Sequence, residues 1–418
     1  MKVLVLGAGV VGTTAAWYLA KAGHEVSVIE RQPAAAMETS FANGGQVSPC
    51  HAEPWANPGT PFKALKWLGH EDAPLIFRLT RYDPALWLWL AQFLRNCTAD
   101  RARINTERTL RVAIYSRACL QELRAETGIL YDQQTRGILH IYRNPREFEH
   151  ATHAAAMMAS FGLDRQVKSV AEAVAIEPAL TAVSSELAGA IFTPGDESGD
   201  AHKFTQNLAA LAAQKGVRFQ YGTAVQDFAV EDGRVTAVHT DQGVLTADAY
   251  VMALGSWSPK FTRQLGFSLP IYPAKGYSAT LEVSAPSAAP LVSITDDEHK
   301  MVFSRLGDRL RCAGTAELAG WDDSLCEVRA EAIVKHAKSL FPGAGDFDTA
   351  ELWAGLRPTT PDSVPVLGCS PLPNLYLDTG HGTLGWTMSC GSGRLIADIV
   401  SGRQTDIATD GLDYHRFH

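Results

Sequence analysis

Lys2-Val3-Leu4-Val5-Leu6-Gly7-Ala8-Gly9-Val10-Val11-Gly12 is a short apolar run that leads directly into glycines spaced Gly-x-Gly-x-x-Gly. The apolar run predicts a buried parallel strand, Thr13 to Ala22 predicts a helix, and Val26 to Glu30 predicts a second strand. Glycines at this spacing allow a tight turn, a close approach of the backbone to a pyrophosphate, and close packing of the helix on the strand. The stretch therefore predicts a dinucleotide-binding βαβ unit with the phosphates at the helix N-terminus.

The acid at the end of the second predicted strand narrows the choice of dinucleotide. Glu30 is placed to accept hydrogen bonds from the diol of a ribose. A carboxylate there would repel the 2′-phosphate of NADP, so the sequence disfavours NADP. The acid does not by itself distinguish NAD from FAD.

The composition indicates a globular protein with no electrostatic preference for nucleic acid. The chain has 418 residues, is 46% hydrophobic and 20% charged, and carries a net charge of −8 from 37 basic and 45 acidic residues. This length allows about two or three domain-sized units.

The 7 cysteines form no CxxC pair, which suggests reduced thiols in the cytoplasm and no metal site. The early first strand leaves no room for a signal peptide, and no apolar run is long enough to span a membrane.

The most apolar helical segment is Leu86 to Leu94, which follows Pro84. Two interpretations stay open for it, a helix packed in the core or a helix lying on a membrane surface. The second interpretation would make the protein peripheral to a membrane rather than embedded in it.

The rest of the pattern alternates nucleotide-binding elements with an unrelated block. Ser40 to Pro61 predicts a long functional loop, residues 61 to 159 are mainly helical in pattern, and alternating strands recur from 269 to 310. We predict a mixed α/β (α+β) fold, in which a discontinuous Rossmann-like dinucleotide-binding domain interleaves with a substrate domain built on an antiparallel sheet plus helices. The predicted boundaries are 1–60, 165–258 and 345–418 for the first domain, and 61–164 and 259–344 for the second.

A second glycine-rich loop, Thr379 to Ser389, lies between a predicted strand at Leu375 to Asp378 and a predicted helix at Ser392 to Ser401. A simple NAD enzyme does not need such a loop. A flavin does, because backbone N–H groups near the isoalloxazine ring stabilise negative charge on its reduced form. An ordinary turn before a helix is the alternative.

Taken together, these segments resemble the D-amino-acid oxidase/glycine oxidase superfamily of FAD enzymes, and within it the bacterial D-amino-acid dehydrogenases. The resemblance runs essentially from end to end of the chain. The segments that carry it are 7–12, 38–40, 43–49, 95–97, 123–127, 204–208, 272–273, 275–278, 355–358 and 380–393.

The resemblance implies FAD as a noncovalent cofactor, because residues 353–362 lack the cysteine that covalent flavin relatives carry. It implies that Ser40 and the loop 43–48 lie along the pyrophosphate and flavin ring. It also places Val225 on the adenine side and 380–385 on the pyrimidine side. With the fingerprint, the residues expected to bind the cofactor are Gly7, Gly9, Val10, Val11, Gly12, Glu30, Arg31, Ser40, Asn43, Gly44, Gly45, Gln46, Val225, Gly255, Gly380, Gly382, Thr383, Leu384 and Gly385.

Arg357 corresponds to the arginine that binds the substrate carboxylate in glycine oxidase. A planar guanidinium can hold a carboxylate by two parallel hydrogen bonds, and a structural salt bridge is the alternative. Thr383 stands where glycine oxidase has a second arginine, so one arginine would hold the carboxylate. The other candidate catalytic residues are Tyr277 and Lys275, for which packing is the alternative, and His381, for which a structural hydrogen bond is the alternative.

The resemblance implies oxidative deamination of a small D-amino acid to a 2-oxo acid and ammonia, by hydride transfer from Cα to flavin N5. The electrons would pass to a respiratory quinone or another electron-transfer partner, with a possible peripheral contact at the cytoplasmic face of the inner membrane. Transfer to O₂ stays open. Two further alternatives are a related enzyme for D-proline, D-hydroxyproline, glycine or sarcosine, and a non-catalytic FAD-binding electron-transfer subunit.

Overall fold

The computed structural model describes residues 1–67, 75–77 and 83–417. Residues 68–74 and 78–82 of the predicted helical block lie outside the described residues. The described strands are β1 Lys2–Leu6, β2 Glu25–Glu30, β3 Gln46–Val47, β4 Leu75–Phe77, β5 Ile138–Tyr142, β6 Gln166–Lys168, β7 Gly189–Thr193, β8 Glu197–Ser198, β9 Arg218–Tyr221, β10 Val225–Glu231, β11 Arg234–Thr240, β12 Gly243–Leu245, β13 Ala249–Met252, β14 Tyr272–Glu282, β15 Ser293–Asp296, β16 Met301–Leu306, β17 Arg309–Leu318, β18 Glu351–Thr359, β19 Val366–Cys369 and β20 Leu375–Thr379. The described helices are α1 Val10–Lys21, α2 Thr60–Trp67, α3 Pro84–Asn96, α4 Ala99–Thr127, α5 Pro145–Ser160, α6 Val170–Ile176, α7 Ala201–Gln214, α8 Ser258–Gln264, α9 Glu327–Leu340 and α10 Gly385–Val400.

The first sheet has six strands in the order β19-β20-β13-β1-β2-β9 and is parallel apart from its edge strand β19. Its central strands are almost entirely buried, as expected where both faces of a parallel sheet are covered. One face packs against a cluster that includes Trp17 of α1, Phe204 of α7 and Trp386 of α10. The opposite face contacts Val235 and Phe261. The predicted Rossmann-like α/β architecture is confirmed.

A small antiparallel sheet, β10-β11-β12, covers part of that opposite face. Its first turn contains Asp232 and Gly233, both with positive φ angles of 49° and 72°, as the Asp-Gly pair predicts for a tight hairpin. The next turn contains Gly243, whose φ is 126°. Both hairpin turns predicted from the sequence are therefore present.

The second large sheet is mixed, with the order β18-β14-β17-β16-β15-β5-β7-β6 and β4 beside β17. It is antiparallel except where β5 joins β15 and β4 joins β17. Helix α9 packs on one face through Ile333, in a cluster with Tyr277 and Phe303. This sheet is the antiparallel platform that the sequence predicts for the substrate domain.

Three strands of the mixed sheet come from ranges that the sequence assigns to the FAD-binding domain. Strands β6 and β7 belong to the range 165–258, and β18 belongs to 345–418. These strands join the mixed sheet because of their hydrogen-bonded partners: β7 forms a complete antiparallel ladder with β5, and β18 pairs along nearly the whole of β14. Secondary-structure patterns carry no information about such partners, and the remaining domain division stays a prediction.

Helix α3 has apolar side chains on both its buried side and its exposed side. Leu86, Trp89 and Phe93 are buried, and the Trp89 ring nitrogen donates to Thr359 O at 2.9 Å. Trp87 and Leu88 lie on the outer side and are 49% and 67% exposed. One side of the helix is therefore core, and the other presents apolar side chains at the surface. None of the described helices is long and apolar enough to cross a membrane.

Three glycine turns meet at one edge of the six-stranded sheet. Strands β1, β13 and β20 are parallel neighbours, so their carboxyl ends lie side by side. Gly7, Gly255 and Gly380 follow these three strands and have positive φ angles of 101°, 53° and 75°. In an open α/β sheet, ligands bind in the crevice outside the carboxyl ends of the strands. The fold therefore places its candidate site at this edge.

Candidate functional site

A cavity of about 1470 Å³ lies at this edge and is lined by residues of both large sheets. Typical ligand pockets measure about 300–1,000 Å³, so this cavity has room for a large cofactor beside a small substrate. All the predicted cofactor-binding residues except Gly12 line it, and so do Arg357, Tyr277 and His381. Lys275 is not among the lining residues.

The first glycine turn leaves no space for side chains on the protein side. A β-carbon on Gly7 would lie 2.7 Å from Ala253 O, and one on Gly12 would lie 2.0 Å from Gly7 O. Gly9 caps helix α1 without a side chain, and a β-carbon there would meet only Ser40 Oγ at 3.6 Å. The absence of a side chain at Gly9 therefore leaves space for a ligand, whereas its absence at Gly12 lets helix α1 approach strand β1. Ser40 Oγ accepts a hydrogen bond from Val10 N–H at 3.1 Å.

Glu30 is held by the backbone around it. Its Oε2 accepts from Ala8 N–H at 2.8 Å and its Oε1 accepts from Gln32 N–H at 2.9 Å. Burial raises the pKa of the Glu30 carboxyl. The two contacts fix the carboxyl group at the cavity wall, where each oxygen retains a lone pair for a hydroxyl donor.

Arg31 and Val225 lie near Glu30 on the cavity wall. The Arg31 guanidinium lies 4.3 Å from the centroid of the Trp257 ring and forms an ion pair with Glu38. Val225 begins β10, just after Thr223, whose N–H donates to Glu30 O at 2.9 Å. The backbone at this end of the cavity is therefore tied to β2.

The loop 43–46 brings backbone rather than side chains to the cavity. Asn43 Oδ1 accepts from Gly45 N–H at 2.9 Å, which closes a local turn. A β-carbon on Gly44 would lie 2.4 Å from Val302 Cγ2. Gln46 donates through Nε2 to Ser293 Oγ at 2.9 Å, so its side-chain amide is anchored on β15.

The second glycine loop leads directly into α10. A β-carbon on Gly380 would lie 2.9 Å from Thr360 Cγ2, and Gly382 has a φ of 55°. Helix α10 begins at Gly385 with no side-chain cap. A short 3₁₀ turn, Gly382–Leu384, leads directly into it, and Leu384 N–H donates to His381 O at 3.0 Å. The helix begins earlier than the predicted Ser392, and its unpredicted first part packs closely on α4: a β-carbon on Gly391 would lie 2.7 Å from Ser116 Cβ.

Asp378, the penultimate residue of β20, is a functional candidate that the sequence did not single out. It lines the cavity and is fully buried. Neither carboxylate oxygen has a hydrogen-bond partner within the part of the chain that the structure describes. Burial raises the pKa of this carboxyl well above its usual range. Its only sequence signal is an acid at the end of a strand beside the glycine loop.

The residues at this edge fit a flavin dinucleotide. The N-terminus of α1, a buried carboxyl with no hydrogen-bond partner among the described residues, and two glycine-rich turns all face one cavity. The first turn suits a pyrophosphate and Glu30 suits a ribose. The second loop lines the same cavity, and backbone N–H groups of such a loop stabilise negative charge on a reduced flavin ring.

Arg357 lies in β18 opposite Ala274 of β14. Its Nη1 donates to Thr315 O at 2.8 Å, and a β-carbon on Gly276 would lie 2.1 Å from its Cζ. Within the described ranges, no carboxylate forms an ion pair with it. Burial lowers the pKa of the guanidinium to about 10, which leaves it charged at neutral pH. A buried, unpaired guanidinium is a strong site for an anionic ligand.

A β-bulge produces the Arg357 contact. The pairing of β14 with β17 shifts register between Lys275 and Tyr277, and Thr315 in the bulge has a φ of 54°. This conformation is unusual for a β-branched residue. Its consequence is the Thr315 carbonyl that accepts from Arg357. Bulges occur frequently beside active sites because they redirect groups in this way.

Tyr277 and Lys275 contact a charged group instead of Arg357. The Tyr277 hydroxyl donates to Glu317 Oε2 at 2.6 Å, and burial raises the pKa of this phenol. Lys275 Nζ donates to Ser324 O at 3.1 Å and lies 3.9 Å from Glu317. Arg329 also lies 3.9 Å from Glu317. The two candidates are thus engaged on the α9 side of the sheet, and their catalytic role stays a prediction that these contacts do not favour.

His381 is buried between Asp378 and α10. Its Nε2 lies 2.9 Å from Ser392 Oγ and 3.5 Å from Asp378 Oδ1. Burial lowers the pKa of this imidazole to about 3, so it is neutral at physiological pH. These contacts favour a structural hydrogen-bonding role for His381, and its catalytic role stays a prediction.

Comparison with known proteins places the chain in one enzyme family. The family described as "FAD dependent oxidoreductase" (DAO) matches residues 2–399. The chain therefore belongs to this family, and the predicted FAD cofactor and enzyme class are confirmed.

Relatives of named activity narrow the class. The chain is 65% identical over 417 residues to the "D-amino acid dehydrogenase" of Paramagnetospirillum magneticum, covering 100% of this chain and 99% of the relative. It is 50% identical to the protein of the same name from Agrobacterium fabrum, with 100% of both chains covered. The predicted resemblance to the D-amino-acid dehydrogenases is confirmed.

Solved structures share the fold at low sequence identity. Glycine oxidase from Geobacillus kaustophilus superimposes with a TM-score of 0.77 at 23% identity, covering 98% of this chain and 97% of that one. L-proline dehydrogenase from P. horikoshii gives a TM-score of 0.76 at 20% identity, covering 100% and 97%.

Proposed function

We propose that this chain catalyses the FAD-dependent oxidative deamination of D-amino acids to 2-oxo acids and ammonia. The full-length identity of 65% to a D-amino acid dehydrogenase supports the reaction. The structural observation that carries it is the buried Arg357 guanidinium, which faces the same cavity as both glycine loops and lacks a carboxylate partner among the described residues.

Arg357 would hold the substrate carboxylate. Its Nη1 is fixed by Thr315 O, which sets the plane of the guanidinium and leaves its other N–H groups for the ligand. With the carboxylate fixed, Cα and its hydrogen take a defined direction in the cavity. Only one enantiomer then presents its hydrogen to the cofactor while its side chain and amine keep their places.

FAD, when bound, supplies a two-electron acceptor for the hydride that leaves Cα. The residues proposed to hold it are those of the two glycine loops, Glu30, Ser40 and the loop 43–46. The chain supplies orientation and a low-dielectric surrounding rather than a strong base, because His381 is neutral and already hydrogen-bonded. The imine product takes up water and releases ammonia and the 2-oxo acid. Noncovalent binding of FAD is part of this proposal.

We propose a respiratory quinone as the electron acceptor, with a peripheral contact at the cytoplasmic face of the inner membrane. The outer side of α3 supports the membrane contact: Trp87, Leu88 and Leu94 are 49%, 67% and 56% exposed. Its inner side packs on Tyr272 of β14, the strand that also carries Gly276. Exposed apolar side chains grouped on one helix are typical of a membrane or partner surface.

A vesicle flotation assay tests the membrane contact. The triple variant W87S/L88S/L94S should lose flotation with anionic vesicles and keep its activity with a soluble dye. V328S is the matched control, because Val328 is 69% exposed and belongs to a different helix, α9. Equal flotation of the triple variant and the wild type would refute the contact.

Substrate kinetics with a dye acceptor test the reaction itself. A panel of D- and L-amino acids, with D-proline, glycine and sarcosine, should show D-amino acids as the best substrates.

R357A should raise KM for D-alanine by about 10- to 100-fold, the range expected for one or two charged hydrogen bonds, while the flavin content stays unchanged. R357K should recover only part of the loss. An unchanged KM in R357A would refute the assignment. Peroxide yield measured in the same assay distinguishes O₂ from the dye or quinone.

A further inference from the structure

A group of sulfur and nitrogen atoms lines the cavity apart from the residues assigned to FAD and substrate. Cys50, His51 and His140 each offer one ligand atom, and these atoms all lie within 4.8 Å of one another. Cys50 Sγ lies 3.1 Å from His140 Nε2. Around a tetrahedral zinc ion, a sulfur and a nitrogen ligand are about 3.5 Å apart, so small shifts would complete the geometry.

Each histidine has one ring nitrogen in contact with a polar side chain outside the cluster. His140 Nδ1 lies 2.6 Å from Asp297 Oδ2, while His51 Nδ1 lies 3.0 Å from Ser48 Oγ. Metal-binding histidines usually have this arrangement, in which the second nitrogen contacts a carboxylate or another acceptor and fixes the ring. The two rings are also adjacent, with centroids 4.7 Å apart.

We infer that Cys50, His51 and His140 form a binding site for Zn²⁺. A thiolate and two imidazoles are a preferred donor set for zinc, and Asp297 is the supporting carboxylate behind His140. Because all three residues line the cavity, the fourth position is accessible to water. The sequence predicted no metal site because it lacks CxxC spacing. The Cys-His pair and the distant His140 meet only in the folded chain.

A nucleophile triad is the competing explanation for part of this group. Cys50, His140 and Asp297 follow the order of a nucleophile, a base and an orienting acid. That explanation gives His51 no role, although one of its ring nitrogens belongs to the same cluster.

Metal analysis of the purified flavin-loaded protein tests the inference. After incubation with ZnCl₂ and dialysis, the wild type should retain one zinc per chain, and its X-ray absorption should show one sulfur and two nitrogen neighbours. C50S and H140Q should lose the stoichiometric zinc. D297N should weaken zinc binding by about 10- to 100-fold, as expected for a supporting carboxylate. C369S, which changes an exposed cysteine elsewhere, should bind as the wild type does.

Several results would overturn the site. They are the absence of retained zinc in the wild type, zinc retention in both C50S and H140Q, or rapid alkylation of Cys50 by iodoacetamide that zinc does not slow. If C50S fails to fold, H51N takes its place, because His51 is only partly buried and is the last residue of a short 3₁₀ turn, Pro49–His51. Zinc content is independent of turnover, so this test does not depend on the proposed reaction.

Discussion

Arg357 lies directly over Gly276, and a β-carbon on Gly276 would stand 2.1 Å from Arg357 Cζ. The two residues belong to neighbouring antiparallel strands, where Arg357 pairs with Ala274 and reaches across to the next residue on the same face. The guanidinium can therefore occupy its place in the cavity only while residue 276 has no side chain. This contact links a glycine in the middle of a strand to substrate recognition.

We expect G276A to weaken substrate binding by Arg357, as R357A does. The added methyl group displaces the guanidinium from Thr315 O, so KM for D-alanine should rise by about tenfold or more, with normal flavin content. S278A is the matched control, because Ser278 lies on the same strand and its buried hydroxyl has no hydrogen-bond partner among the described residues. Unchanged kinetics of G276A would show that Arg357 does not depend on this space.

Alanine substitutions of Gly9 and Gly12, the last two glycines of the first loop, should have different effects on the protein. G12A places a methyl group 2.0 Å from Gly7 O, so the protein should lose thermal stability as well as FAD. G9A meets only Ser40 Oγ at an ordinary 3.6 Å, so the fold should remain intact while FAD binding weakens. Flavin absorbance after gel filtration and the melting temperature of the apoprotein separate the two effects. Equal FAD retention in G9A and the wild type would contradict the close approach of a pyrophosphate.

The sequence predicts the elements of this site better than it predicts their partners. The first βαβ unit and the second glycine loop follow from local patterns, because glycine spacing and apolar runs act over a few residues. Alternation along β14 separates Gly276 from Lys275 and Tyr277, but only the pairing with β18 shows that the Gly276 face carries Arg357. The bulge at Thr315 depends on distant segments, and so does the absence of a hydrogen-bond partner for Asp378 among the described residues; no local pattern records either.

Y277F should lower stability more than catalysis. The Tyr277 hydroxyl donates to buried Glu317, so its removal should reduce the free energy of unfolding by about 1–3 kcal/mol. We expect kcat and KM to change by less than about threefold, because the hydroxyl is engaged away from Arg357. Chemical denaturation and dye-coupled kinetics measure the two effects. A large loss of kcat with unchanged stability would instead support direct contact of Tyr277 with the substrate.

D378N should reveal the ionisation state of the buried carboxyl beside the second glycine loop. Burial raises the pKa of Asp378 in the folded protein, whereas in the unfolded chain it is about 3.9. As the pH rises above about 4, the unfolded chain therefore loses this proton first, and the wild type loses stability until the pH reaches the folded-state pKa. Asparagine has nearly the same shape and does not titrate, so D378N should gain stability relative to the wild type at pH 8 and gain less at pH 5. Melting temperatures of both flavin-loaded proteins measure the difference, and D308N, at an exposed turn, should shift neither value. A stability difference that is the same at both pH values would mean that Asp378 finds a partner for its charge.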